Sequence, residues 1–301
     1  MTLLEAKHYV HFQSSKSSHP MKIGSYQLHT IETGRFRLDG GTFFATIPKT
    51  LWHQHIPSDD ENRVELALRC LLIKGKRKNI LIDCGIGYKM DDKVKTFMAI
   101  DHTRYNLERS LQAVGLEKRD ITHVILTHFH YDHAGGATDY DHQGNLVPAF
   151  PNALYYIQRK NLMWALNPSD SDRQSYLMEN IEPLRSKHCL RIVSGRVELF
   201  PDIELMPFNG HTVGLQAVKI SDRNTTLIYC ADVIPTTAHL PPHWVMAYDL
   251  HPLTSIEEKK NLLAKACKHQ WILFLEHDPN IEACRIRLND GKYELREEIC
   301  L

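Results

Sequence analysis

Residues 127–136 read THFHYDHAGG, the densest concentration of chemically active side chains in the sequence. Three histidines and an aspartate (His128, His130, Asp132 and His133) fall within six positions, directly after the apolar run HVIL and directly before Gly135 and Gly136. In chain leaving a strand, alternate residues share a side, so the imidazoles of His128 and His130 can reach one metal ion. Asp132 and His133 sit where the chain turns and can face a second ion close to the first. The two glycines suit the tight backbone of such a turn. A chain with 19 histidines will cluster some by chance, but H-x-H-x-D-H behind an apolar run is a specific ligand spacing. Imidazole-rich donors suit zinc, with manganese, iron or cobalt as alternatives, whereas calcium and magnesium prefer oxygen.

Outward from this cluster, three candidate partners each end an apolar strand. His211 follows IELMPF in NGHTVG, Asp232 closes TTLIYCAD, and His277 closes QWILFLEH. Strand ends at one edge of a rigid sheet can gather ligands that are distant in sequence. The flanking pattern supplies those strands. Residues 22–39 alternate apolar and polar side chains with Gly34 as punctuation, predicting two half-buried strands joined by a turn. Residues 66–73 and 79–85 make a second pair around GKRK. Spacing over 102–114 is helical, with Gly115 placed to cap the end. Strand character returns at 122–128 and 152–158, and 172–187 reads as helix. In the second half LRIVSG, IELMPFNG, LQAVKI and TTLIYCAD precede a helix over 255–268. QWILFLEH then reads as a buried strand, and a hairpin turns on Asn289-Asp290-Gly291. Two strand-rich halves, each with helices, predict two packed sheets with helices outside.

At 301 residues, 43% of them hydrophobic, the chain can bury a large core as one extended domain or two intimate ones, and no linker divides it. The 36 basic and 36 acidic residues cancel, leaving no field to draw in nucleic acid or an anionic membrane, and neither partner is expected. Seven cysteines (Cys70, Cys84, Cys189, Cys230, Cys267, Cys284 and Cys300) are scattered without a C-x-x-C pair, which suits reduced thiols and a cytoplasmic setting. Residues 1–21 lack the basic start, apolar core and cleavage site of a secretion signal, and no segment has an apolar run long enough to span a bilayer. They read as a flexible leader ahead of a domain over 22–301. The leader's Ser and Lys content favours a disordered tail over an arm reaching a partner subunit.

On these motifs the chain resembles the metallo-β-lactamase superfamily, from about Ile23 to the C-terminus. ILIDCG around Asp83, THFHYDH, the GH of NGHT, the Asp of ADV and the His of LEHDP stand in the family's order. The resemblance implies an α/β (α+β) architecture, an αββα sandwich of two mixed β-sheets flanked by helices, with a dinuclear site at the sheet edge. It implies His128, His130 and His211 on one metal, Asp132, His133 and His277 on the other, and Asp232 bridging both. Asp83 would orient the site without binding metal. Flavodiiron members usually carry Glu at the position of His130, and true zinc β-lactamases lack the bridging aspartate. Both contrasts point to dinuclear ester, lactone or phosphoester hydrolases.

GRFRLDGGTFFATIPKTLW (34–52), followed by LALRCLLI, is similar to the branch of N-acyl homoserine lactonases and methyl parathion hydrolases, whose members are often homodimers. Known lactonases place a tyrosine, which assists the lactone carbonyl, three positions after the bridging aspartate. Pro235 stands there in this chain. His239 and His243 can substitute as polar contacts, although exposed loop histidines without a role are the plainer expectation; Cys230 reads as core. Phe43, Phe44, Trp52, Trp244, Met246 and Tyr248 lie in loops where the family builds its pocket, and they are expected to hold an acyl or aryl group.

The expected reaction uses a hydroxide bridging two divalent ions as nucleophile, with one ion polarising the carbonyl or phosphoryl oxygen. Asp132 would orient the hydroxide and pass a proton to the leaving oxygen. The expected function is hydrolysis of a small-molecule lactone or other carboxylic ester, in its narrowest form quorum-quenching N-acyl homoserine lactone cleavage. An organophosphate triester is the alternative substrate. A phosphodiesterase or nuclease is disfavoured by the balanced charge, and a metal-binding regulatory protein without turnover is disfavoured by the complete ligand set.

Overall fold

The computed structural model describes residues 20–301. The expected leader therefore lies outside the described residues except for its last two positions, and Met21 already belongs to a strand. The first sheet contains β1 (Met21–Ile23), β2 (Tyr26–Asp39), β3 (Arg63–Lys74), β4 (Asn79–Ile82) and β5 (His123–Ile125). After a separate hairpin of β6 (Thr138–Tyr140) and β7 (Leu146–Pro148), it is completed by β8 (Leu154–Gln158) and β9 (Leu190–Val193). The second sheet runs in chain order through β10 (Val197–Phe200), β11 (Ile203–Phe208), β12 (Leu215–Ser221), β13 (Thr226–Tyr229), β14 (Ile272–Phe274), β15 (Ala283–Asn289) and β16 (Lys292–Ile299). Both sheets are mixed. β1 to β4 are antiparallel while β4, β5, β8 and β9 are parallel, and β13 and β14 are the parallel pair of the second sheet.

Parallel neighbours require crossovers, and helices supply them. Leu107–Ala113 lies between β4 and β5, Arg159–Leu166 between β8 and β9, and Pro252–His269 between β13 and β14. The period of two along the strands sorts the core. Leu71, Ile73, Ile80, Ile82 and Ile125 face the second sheet and meet Leu205, Ala217, Leu227 and Phe274. Their neighbours Cys70, Leu72, Leu81, Val124 and Leu126 point the other way, onto Leu107, Leu111, Leu162 and Leu184 of the helical layer. Burial on both faces is why β3 to β5 read as continuous apolar runs rather than as alternation.

Several expected elements differ in extent. Gly34 makes no turn: β2 is one 14-residue strand in which the register against β3 shifts between Glu32 and Gly34, a bulge, and the chain reverses earlier, between β1 and β2. The helix expected from residue 102 starts at Leu107, because the Asn106 side chain accepts the Arg109 N–H at 2.9 Å and caps it there. Residues 172–187 form two 3-10 turns, Arg173–Ser175 and Met178–Asn180, and a short α-helix, Glu182–Ser186, instead of one helix. The expected C-terminal hairpin is present, with Asp290 and Gly291 both at positive φ. Cys70, Cys84, Cys189, Cys230, Cys267 and Cys284 are free thiols, and Cys230 is buried in the core as expected. No helix among the described residues is long and apolar enough to cross a membrane.

The parallel pairs matter for function because parallel strands release their chains at the same edge. Ligand sites in such sheets form outside the carboxyl ends of the strands. Asp83 follows β4, His128 to His133 follow β5, Asp232 follows β13 and His277 follows β14. Asp83 and Ala231 both adopt left-handed backbone (φ 58° and 46°) at these exits. A bend that non-glycine residues rarely take is held at the two points where the chain leaves its sheet for the site.

Candidate metal centre

The helix Tyr131–Ala134 follows β5 after five intervening residues, the last of which, His130, is extended. That arrangement puts His128 and His130 before the helix and Asp132 and His133 within it. Gly135 and Gly136 follow, and the structure gives their requirement a sharper form than turn geometry. A Cβ on Gly135 would stand 2.1 Å from the Ile86 carbonyl oxygen, and one on Gly136 would stand 2.2 Å from that of Cys84. The two glycines let the cluster dock against the loop leaving β4.

Two groups of donors converge at the sheet edge. His128, His130, His211 and Asp232 offer one ligand atom each within 4.8 Å of one another, and Asp132, His133 and His277 do the same. Asp232 stands between them: its Oδ2 is 3.1 Å from His211 Nε2 and 3.4 Å from His133 Nε2, and its Oδ1 is 3.2 Å from His277 Nε2. His130 Nδ1 faces His211 Nε2 at 3.1 Å, and His277 Nε2 faces His133 Nε2 at 3.2 Å. All these residues are buried except Asp132, which is partly exposed at the cavity.

The outward-facing ring nitrogens are held by protein acceptors. His277 Nδ1 donates to the Ala67 carbonyl at 2.8 Å and His211 Nδ1 to Asp249 Oδ1 at 2.9 Å. His133 Nδ1 meets two carboxylates, Asp83 Oδ2 at 3.1 Å and Glu276 Oε2 at 3.0 Å. Such partners fix the tautomer and turn the Nε2 lone pair inward. Asp83 also accepts the Thr127 N–H and hydroxyl, both at 2.7 Å, which ties the exit of β4 to the exit of β5.

The charges compensate within the cluster. Burial pushes the Asp232 carboxyl up, but His133, His211 and His277 outweigh it and hold it well below the usual carboxylate range. Burial lowers His211 and His277, yet Asp232 overrides it and each is raised to about 9. His128 and His130 are driven well below the ordinary imidazole value by burial and then by their neighbouring rings. His128 Nε2, which faces Asp232, is buried without any hydrogen-bond partner, while His130 turns its Nδ1 to the cluster. Buried polar atoms left unpaired are costly, and neutral imidazoles with inward lone pairs, joined by carboxylates, are the donor set that zinc-like ions take. The residues fit a pair of divalent ions.

A cavity of about 40 Å³ opens over the cluster, lined by His130, Asp132, His211, Asp232 and His277 together with Leu38, Phe43, Leu66, Tyr131, Ser175, Met246 and Tyr248. Of the six expected pocket residues, Phe43, Met246 and Tyr248 line it. Phe44, Trp52 and Trp244 do not. Phe44 is sandwiched between Trp52 (5.1 Å, 9°) and His239 (5.0 Å, 9°), with Trp244 edge-on at 5.9 Å. Large apolar rings with this much area to hide stack behind the wall. His239 is correspondingly buried rather than exposed; burial lowers it to about 3, with Nδ1 on Thr236 Oγ1 and Nε2 on the Phe43 carbonyl. His243 is exposed, and neither histidine lines the cavity. Pro235 is buried, and its carbonyl accepts the His277 N–H at 3.2 Å.

Asp249 and Glu276 are functional neighbours of the ligands that the motifs do not include. Glu276 carried a weak signal, a carboxylate beside His277 at the end of an apolar strand. Asp249, in a loop 38 residues from His211, carried none.

Residues 66–277 match the Metallo-beta-lactamase superfamily, and the chain belongs to it. It is a metal-dependent hydrolase by that membership and by its relatives. An N-acyl homoserine lactonase of Bacillus thuringiensis is 25% identical over 237 residues, covering 74% of this chain and 86% of the relative. A solved structure of a probable metal-dependent hydrolase from Staphylococcus aureus is 30% identical, with a TM-score of 0.83, covering 93% of this chain and 100% of the other. A dizinc quorum-quenching lactonase solved in complex with a product shares the fold, at 24% identity and a TM-score of 0.77 over 94% of this chain and 97% of its own.

Proposed function

We propose that the protein hydrolyses a small-molecule lactone or other carboxylic ester, with N-acyl homoserine lactones as the leading substrate class. The observation that carries this reading is the pair of donor groups sharing Asp232 beneath an apolar-walled cavity. His128, His130 and His211 would hold one divalent ion and Asp132, His133 and His277 the other, with Asp232 common to both and zinc the proposed metal. The ion pair, when bound, supplies a water of lowered pKa and a Lewis acid for the substrate oxygen.

The chain's own residues do the rest. Asp83, Glu276, Asp249 and the Ala67 carbonyl hold the imidazoles in one tautomer. Asp132, the most solvent-accessible carboxylate of the cluster, turns Oδ2 to His133 and His277, and its other oxygen, Oδ1, orients the attacking water and carries its proton to the leaving oxygen. Leu38, Phe43, Leu66 and Met246 give the reacting carbonyl an apolar wall that excludes bulk water. A cavity of about 40 Å³ is far smaller than the roughly 300–1,000 Å³ of typical ligand pockets. It seats the ester group alone, and an acyl chain would leave past Tyr248 at the exposed rim. N-acyl homoserine lactone relatives support this substrate class.

The test is a substrate panel on zinc- and manganese-loaded protein: N-hexanoyl homoserine lactone, phenyl acetate, an aryl dialkyl phosphate and bis-p-nitrophenyl phosphate. Faster turnover of the lactone than of both phosphates is expected. Exclusive cleavage of the phosphotriester or the diester would overturn the assignment.

A further inference from the structure

We infer that Tyr131 donates the hydrogen bond that stabilises the oxyanion formed on the substrate carbonyl, an inference that rests on the ester-hydrolase reading above. Ester cleavage places negative charge on the carbonyl oxygen, and a preorganised neutral donor at that point is worth a large share of the barrier. Most polar groups of the cavity are already engaged. The five His and Asp side chains face the metal positions, and the Tyr248 hydroxyl is within 2.6 Å of Thr42 Oγ1.

The polar side chains of the loop after Asp232 are engaged elsewhere. Pro235 has no N–H. The Thr236 hydroxyl pairs with His239 Nδ1 at 2.8 Å, the Thr237 hydroxyl donates to Asp278 at 2.7 Å, and His239 Nε2 donates to the Phe43 carbonyl at 3.1 Å.

Tyr131 differs from all of these. It lines the cavity, and its hydroxyl has no hydrogen-bond partner among the described residues. The residue opens the short helix Tyr131–Ala134 between His130 and Asp132, and its ring packs on the cluster that contains Phe36, Phe43 and Met246. The phenol is therefore fixed in place by packing and lines the same cavity as Asp132 and Asp232. Ser175 is the other cavity hydroxyl without a partner, but its short rotor on a surface turn is less preorganised. A phenol carries its own proton at working pH and can donate it to a developing oxyanion.

In the reaction the water oxygen bonds to the carbonyl carbon and the π pair moves to the carbonyl oxygen, where it meets the Tyr131 O–H. Collapse of that adduct breaks the carbon–alkoxide bond. The proton taken from water reaches the alkoxide through Asp132, and Tyr131 ends with the proton it began with.

The experiment compares wild type with Tyr131→Phe, both loaded with zinc, after metal content and melting midpoint are checked. Two readouts are taken: kcat and KM for N-hexanoyl homoserine lactone and phenyl acetate, and the Kd of methyl hexylphosphonate, a charged tetrahedral mimic, by calorimetry. The expected result is a kcat lower by about 100-fold with KM little changed, and phosphonate binding weaker by roughly 10- to 100-fold, at unchanged zinc content. A variant within twofold of wild type in both readouts overturns the role of Tyr131 while leaving the hydrolase intact. A fully metallated wild type that opens neither ester nor lactone overturns the hydrolase reading, and the role of Tyr131 falls with it.

Discussion

Replacing Asp249 tests whether the residues around the ligands tune the metal site. Its carboxylate is only 5% exposed and accepts the His211 Nδ1–H at 2.9 Å. Alanine leaves that buried N–H without a partner, at about 1–3 kcal/mol, and frees the ring to turn its Nε2 away from Asp232. Loss of such a partner typically weakens metal affinity by roughly 10- to 100-fold, or about 1.4–2.7 kcal/mol. His211 belongs with His128, His130 and Asp232, and not with Asp132, His133 and His277. The loss should therefore fall on one of two ions. Zinc titration against a competing chromophoric chelator resolves this: Asp249→Ala should show one weakened and one near-normal site, with Asp249→Asn intermediate because it keeps the acceptor oxygen without the charge. Two unaltered affinities in the alanine variant would refute the orienting role.

Other perturbations probe different layers. Gly136→Ala should lower the melting midpoint by the equivalent of about 1–3 kcal/mol or more, because its Cβ meets the Cys84 carbonyl at 2.2 Å; an unchanged midpoint would count against that docking. Chelation should lower the melting midpoint as well, since His128 Nε2, which faces Asp232, then stays buried and unpaired, and saturating zinc at about 100 times its Kd should restore about 2.7 kcal/mol per site. Burial holds Lys259 down to about 8 from its ordinary 10.5, where its Nζ serves the His239 and Trp244 carbonyls. A lysine depressed in the fold binds its proton more tightly when unfolded, so this residue should make stability rise between pH 8 and 10.5, by at most about 3 kcal/mol. Denaturant melts across that window should show the rise in wild type and a flatter profile in Lys259→Met.

What the sequence made legible was governed by local chemistry. The spacing in THFHYDH, the strand-ending positions of His211, Asp232 and His277, and the apolar runs of β3, β4 and β5 all carry their meaning within a few residues. The two-sheet architecture followed from them. What stayed hidden depends on tertiary contacts. Gly34 reads as a turn until pairing with β3 reveals a bulge, and in residues 172–187 Pro183 sits at the start of Glu182–Ser186, where it stops a single helix from running through. Phe44, Trp52 and Trp244 resemble Phe43 and Met246 in sequence, and only packing against His239 separates wall from pocket. Asp249 orients a ring 38 positions away, a relation with no sequence period.

The most direct test of the central claim is a titration of zinc into metal-free protein with lactone ring opening as the readout, run beside Asp232→Asn. Activity that climbs until two ions are bound per chain, and that the variant cannot reach at any zinc level, is the predicted result. Full ring opening without added metal, or equal turnover in Asp232→Asn, would contradict a shared two-metal centre.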